Sequence, residues 1–244
     1  MGPNGLDQMT LPPDSWQAWI FDLDDTLLDT SGVLIPASTH RVFEFLVQQK
    51  AAKSVEDCLT LWSHWRHKSS GERLFRHVIT LLEGEEARQM SNRAYQIFRT
   101  PSLPNTLTLR SGGIEILTEA SKRFPIFLVT QGDIATQIRK VELLEIIPFF
   151  RYIYYVDPLS GESKTQAFAD IIRQNQLVPN RVLSIGNRLD NEIALSKHLG
   201  FKTCYIRYGE HSHEQPNVPE QVPDYEITEL TELLHFLSAN EATP

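Results

Sequence analysis

Six short stretches of the chain are apolar with little interruption: AWIF (18–21), IFLVT (126–130), YIYYV (152–156), RVLSIG (181–186), TCYIR (203–207) and YEI (225–227). Continuous rather than alternating hydrophobicity suits parallel strands that are covered on both faces. Helical patterns separate them. GGIEILTEASKRF follows Ser111, a candidate N-cap, and DIATQIRKVELLEI opens on Asp133, another. SKTQAFADIIRQNQL and DNEIALSKHLG come next, the last closed by Gly200. Strand alternating with helix predicts an α/β fold with a doubly wound parallel sheet. One region breaks the rhythm. Residues 33–105 hold no clear strand but several helical patterns, STHRVFEFLVQQKAA, VEDCLTLWSHWRHK, GERLFRHVITLLEG and EEARQMSNRAYQIFRT. The expected organisation is a core domain over 15–32 and 106–237 with an all-helical insert over 33–105. Residues 1–14 and 238–244 read as tails.

Composition narrows the class. The 244 residues are 41% hydrophobic, enough for one large domain with an insert. The net charge of −8 argues against general nucleic-acid binding, which needs a basic surface. A locally positive site for a small phosphorylated molecule stays compatible with it. Cys58 and Cys204 stand far apart without CxxC spacing, so they read as buried thiols in a reducing compartment. No apolar run approaches the roughly 20 residues of a membrane span. The opening MGPNGLDQMTLPPD lacks a cationic segment followed by an apolar one, and Leu6 stands where a myristoylation site needs Ser or Thr. The expected location is cytoplasmic, with no membrane partner; the oligomeric state stays open.

Ligands of an open α/β sheet bind beyond the carboxyl ends of its strands. Here the first strand is followed by DLDDT, with Asp22, Asp24, Asp25 and Thr26. The second ends in Thr130, Gln131, Gly132 and Asp133. The helix after the third opens with Lys164, and the fourth runs into GNRLDNE, residues 186–192. Carboxylates this crowded raise one another's pKa unless a cation neutralises them. A lysine and a divalent metal ion would make the cluster tolerable.

DLDDT fits the DxDxT signature of the haloacid dehalogenase-like (HAD) phosphohydrolases, which the chain resembles. Thr130, Lys164 and GNRLDNE fall in the order of that family's later motifs. The resemblance covers the whole core, and the helical insert sits where the family's C1-type cap sits. It implies a Rossmann-like core and a Mg²⁺-dependent phosphatase acting on a small phosphorylated metabolite through an aspartyl-phosphate. Asp22 would be the nucleophile and Asp24 the general acid and base. Thr130, Gln131 and Lys164 would meet the phosphoryl group. Asp22, the Asp24 carbonyl, Asn187, Asp190 and Glu192 would supply the metal site. Dehalogenases of the superfamily lack the second aspartate at this spacing, so Asp24 favours phosphoryl chemistry over halide release.

The fourth motif departs from the family pattern. Gly-Asp is replaced by Gly186-Asn187, with Asp190 and Glu192 further along. An amide brings an oxygen but no charge, so metal binding would lean on Asp190 or Glu192. A phosphomutase or phosphotransferase, a dehalogenase and a catalytically impaired binding protein remain alternatives. In the insert, HWRHKSSGERLFRH is locally basic. It reads as a solvated helix face or as a surface for an anionic substrate. Trp62 and Trp65, three apart, suit one helix face in a core. His64 with His67, and His211 with His213, lack the partners of a zinc site.

Overall fold

The structure is a computed structural model that describes residues 16–69 and 71–238. The two tails expected at 1–14 and 238–244 lie outside the described residues, apart from Ser238. In chain order, β1 (Ala18–Phe21) is followed by five helices, α1 (Thr30–Val33), α2 (Ile35–Gln48), α3 (Val55–Trp65), α4 (Gly71–Val78) and α5 (Gly84–Arg99). Then come α6 (Gly113–Ser121), β2 (Ile126–Gln131), α7 (Ile134–Leu143), β3 (Tyr152–Val156), α8 (Lys164–Asn175) and β4 (Val182–Gly186). The chain continues through α9 (Ala194–His198), β5 (Lys202–Ile206), β6 (Tyr225–Ile227) and α10 (Leu234–Ser238). It divides into two compact units, Met1–Asp29 with Thr106–Pro244, and Thr30–Asn105. The helical unit therefore begins a little before residue 33, because α1 and α2 run almost without a break.

The first unit is built on one parallel sheet in the order β3-β2-β1-β4-β5-β6. Ile20 lies opposite Phe127 on one side and Ser184 on the other, so β1 is central. All four residues of β1 and all five of β4 are buried. Alternation along β1 sends Ala18 and Ile20 to one face, where they join Phe168 and Ile171 of α8 with Phe201. Trp19 and Phe21 point to the other. There Trp19 meets Trp16 and Phe124, and Phe21 meets Phe150. After β3 the chain crosses from one edge to the far side of β1. That reversal of strand order opens a crevice at the carboxyl ends of β1 and β4.

Two local expectations change. Ser111 does not cap α6; the cap position is Gly112, in the left-handed region at φ 78°, with no side-chain cap bond. A Cβ there would meet the Thr231 side chain at 2.6 Å, so the tight approach selects glycine. The stretch DNEIALSKHLG is not one helix. A π-helical turn over Leu189–Ile193 precedes α9, and Gly200 closes it at φ 80°. Asp133 does cap α7, accepting from the Thr136 N–H at 2.9 Å.

The second unit is all helical among its described residues. Trp62 of α3 anchors its core, with ring centroids 5.9 Å from Phe43, 5.5 Å from Phe75 and 5.5 Å from Phe98. Val42, Leu46, Cys58 and Val78 complete that core. Trp65 plays a different part: it is half-buried and stacks on the His77 ring at 3.9 Å. Of the basic cluster, Lys68 reaches the His64 ring and Arg76 pairs with Glu72 on exposed helix surface. No helix among the described residues is long and apolar enough to cross a membrane.

Candidate active site

The sheet fixes the first aspartate directly. The Asp22 N–H donates to the Ile185 carbonyl at 3.0 Å, extending the β1–β4 ladder by one residue beyond the strand. The chain then turns sharply, with the N–H groups of Thr26, Leu27 and Leu28 all directed at the Leu23 carbonyl. Asp25 takes the left-handed conformation the turn needs, at φ 55°. The Arg110 guanidinium holds the outside of this turn. It donates to the carbonyls of Asp25 at 3.3 Å and Thr26 at 3.0 Å and lies 3.5 Å from the centre of the Tyr208 ring. Gly209 approaches so closely that a Cβ there would sit 2.3 Å from the Asp25 carboxyl carbon. Asp25 is thus a structural residue, and Arg110 is an anchor that the sequence pattern does not announce.

Lys164, the first residue of α8, reaches the same point and is only 2% exposed. Its ammonium donates to Asp22 Oδ1 at 2.5 Å and to Glu192 Oε1. Glu192 arrives on the π-helical turn, and its second oxygen accepts from the Arg188 N–H at 3.2 Å. Gly186 leaves room for it: a Cβ there would lie 2.4 Å from the Glu192 Cγ. Burial pushes the Asp22 carboxyl up to about 7; Lys164 lowers it, and Glu192 and Asp24 push it higher. For Lys164, burial pulls the ammonium down, but Asp22 and Glu192 outweigh it and the net shift is upward.

Thr130 is fully buried at the end of β2, and Gln131 follows it, half-buried and still paired with Val156 of β3. Asp24 lies two residues past Asp22 and is held from α7. Its Oδ1 accepts from Lys140 Nζ at 2.7 Å and its Oδ2 from Gln137 Nε2 at 2.7 Å. Gln137 Nε2 also donates to Thr130 Oγ1 at 2.5 Å. Neither Gln137 nor Lys140 stands out in the sequence, where both look like surface residues of an amphipathic helix.

The structure brings Asp22, Asp24, Thr130, Lys164 and Glu192 together, and Asn187 lies beside them at the end of β4. Asn187 is buried, and its amide nitrogen donates to the Tyr208 carbonyl at 3.4 Å, leaving its oxygen as the group it can offer a cation. Asp190 does not join the cluster. It is exposed and pairs with Arg188 at 3.1 Å. Glu192 bonds to Lys164 and accepts from the Arg188 N–H. Among the described residues, no group of three or more His, Cys, Asp and Glu side chains is arranged to hold a metal ion. A cation here would rest on one carboxylate, Asp22, with the Asn187 amide and the Asp24 carbonyl. That donor set fits Mg²⁺, which binds one or two carboxylates and completes its shell with water and phosphate oxygens.

A family profile described as haloacid dehalogenase-like hydrolase matches residues 19–206. The chain belongs to this family. Among curated relatives, it is 27% identical over 132 residues to the HAD-hydrolase YfnB of Bacillus subtilis, covering 53% of this chain and 54% of YfnB. It is 30% identical over 112 residues to a glyceraldehyde 3-phosphate phosphatase of Pyrococcus furiosus, covering 45% and 46% of the two chains. The chain thus spans about half the length of these two relatives. With the N-acylneuraminate-9-phosphatase of Rattus norvegicus it shares 25% identity over 250 residues, covering 91% and 94%. A magnesium-bound crystal structure of YfnB superposes with a TM-score of 0.63 at 21% identity, covering 92% of this chain and 99% of that one. That likeness establishes the shared fold.

Proposed function

We propose that this HAD hydrolase is a phosphatase that cleaves small phosphate monoesters through a phosphoryl group carried on Asp22. The observation that carries the reading is the Asp22 carboxylate, set at the carboxyl end of the central strand and bonded to the buried Lys164 at 2.5 Å. The Asp22 oxygen attacks phosphorus, the bond to the substrate's leaving oxygen breaks, and an acyl phosphate forms. Lys164 holds Asp22 in place and offsets negative charge as it gathers on the phosphoryl oxygens. Thr130 accepts from Gln137, which leaves its own hydroxyl proton to donate to a phosphoryl oxygen. Asp24 exchanges protons with the leaving group and with the attacking water. Mg²⁺ bound by Asp22, Asn187 and the Asp24 carbonyl would draw charge from the phosphoryl oxygens.

The curated relatives named as phosphatases act on phosphorylated metabolites, which supports a substrate of that class. The helical unit lies between the first and second strands in sequence, and we assign it the role of a C1-type cap that selects the substrate. Two buried free thiols, Cys58 and Cys204, suit a reducing, cytoplasmic setting. The test is phosphate release from a panel of phosphorylated sugars, sugar acids and trioses, with Mg²⁺ and with EDTA, beside Asp22→Asn. Metal-dependent release that vanishes in the variant is expected. Equal silence of both proteins across the panel would refute the reading and favour a binding protein on the same fold.

A further inference from the structure

Helix α7 buries Val141 in the ordinary way but also buries two long polar side chains. Gln137 is 2% exposed and Lys140 5%, while Ile134 and Ile138 of the same helix are 38% and 37% exposed. A helix ordinarily buries its apolar stripe and leaves lysine in water. Burying an amide and an ammonium costs free energy unless each finds a partner. Both find the same one. Lys140 and Gln137 stand three apart, so they project from one face, and each donates to a different oxygen of Asp24 at 2.7 Å. Gly132 shows how closely this is built. Its φ needs no glycine, yet a Cβ there would come within 3.1 Å of the Gln137 amide carbon. The missing side chain leaves space for Gln137 to reach both Thr130 and Asp24.

We infer that Lys140 and Gln137 are positioning residues that hold Asp24 as a proton acceptor, and so serve the hydrolysis of the phosphorylated enzyme more than its formation. The inference rests on the proposed phosphatase reading. Donors to both oxygens fix the carboxylate in place and favour its ionised form, which is the form that can accept a proton. In the hydrolytic half-reaction the oxygen of water bonds to phosphorus and the Asp22–phosphorus bond breaks. The proton of that water passes to Asp24.

p-Nitrophenyl phosphate separates the two halves, because its leaving group departs without a proton. With that substrate kcat/KM reports phosphorylation of the enzyme, while slow hydrolysis lowers kcat alone. Lys140→Met is expected to lower kcat by about tenfold or more and to change kcat/KM by less than about threefold. A burst of nitrophenol, one equivalent per enzyme, should then precede the steady state. Lys140→Arg should restore part of kcat. Gly132→Ala, which displaces Gln137 without touching Lys140, should show the same split more weakly and stands in if Lys140→Met does not fold. A parallel fall of kcat and kcat/KM without a burst would overturn the inference, since a merely structural role lowers both. So would a raised KM at unchanged kcat, which marks a grip on the substrate's charge. Wild-type activity abolished in Asp22→Asn secures the underlying reading separately; a silent wild type would sink both.

Discussion

Asp22→Asn should make the metal-free protein more stable, and the gain should depend on pH. Burial pushes the Asp22 carboxyl from the ordinary 3.8 to about 7, even with Lys164 against it. A raised carboxylate binds its proton more tightly in the folded state than in the unfolded one. Between those two values the folded state carries the extra proton, so stability falls as pH rises through that window. Above about 7 the ionised group disfavours folding by up to about 4 kcal/mol, at 1.36 kcal/mol per pH unit. Asparagine has nearly the same shape and never ionises. In EDTA at pH 8, Asp22→Asn should therefore exceed wild type in urea unfolding by an amount on the order of a few kcal/mol. At pH 4.5, where folded wild-type Asp22 is protonated, the gap should shrink to about 1 kcal/mol. Adding Mg²⁺ at pH 8 should narrow the gap by stabilising wild type, since a cation on Asp22 relieves the same charge. A variant equal to or weaker than wild type at pH 8, or a gain that is flat with pH, would refute the claim that the carboxylate is held at a cost to the fold. The experiment needs no substrate.

Two further substitutions probe the charges around Asp22. Lys164→Met leaves Asp22 and Glu192 buried without their shared cation; it should destabilise the fold by about 3–5 kcal/mol at pH 8, with a smaller loss in acid, measured by denaturant unfolding. Asn187→Asp adds a carboxylate where the donor set has an amide, and should tighten Mg²⁺ on the order of tenfold, about 1.4 kcal/mol, by calorimetry.

Legibility in the sequence followed the burial of each element. The inner strands β1, β2 and β4 read as unbroken apolar runs because both of their faces are covered, whereas the edge strand β3 keeps an apolar run, YIYYV, although Tyr152 is exposed. Asp133 reads as a cap and is one, since the rule needs only local geometry. The aspartates and Lys164 draw notice because their positions after strands already imply a common edge. What failed to show depended on distant neighbours. Gly112 displaces Ser111 as the start of α6 because Thr231, far along the chain, leaves no room for a side chain. The DNEIALSKHLG stretch reads as one helix, yet its first part lies in a π turn over Leu189–Ile193, a local widening often found at functional sites. The turn carries Glu192 to Lys164 while Asp190 is left outside, so two acids that look equivalent in sequence part company. Gln137 and Lys140 are the sharpest case. A polar pair at helical spacing is the ordinary mark of a solvated face, and only the sheet edge beneath α7 reverses its meaning.

The two unusual features of the site then bear on each other. Asn187 brings no charge where a carboxylate would have added a negative one, and Lys140 adds a positive charge that the sequence pattern did not lead one to expect. Three carboxylates, Asp22, Asp24 and Glu192, face two ammonium groups, Lys164 and Lys140. Formally a single negative charge remains. With a carboxylate at 187 and no cation at 140 the same edge would carry three. Attraction for a divalent cation should be weaker in this arrangement, because it scales with that residual charge. Asn187→Asp and Lys140→Met move the residual charge in the same direction. They should therefore shift Mg²⁺ affinity alike, while only Lys140→Met frees the Asp24 side chain and slows hydrolysis of the phosphorylated enzyme. A calorimetric titration of Mg²⁺ into both variants, set beside their burst kinetics, separates the electrostatic role of Lys140 from its positioning role.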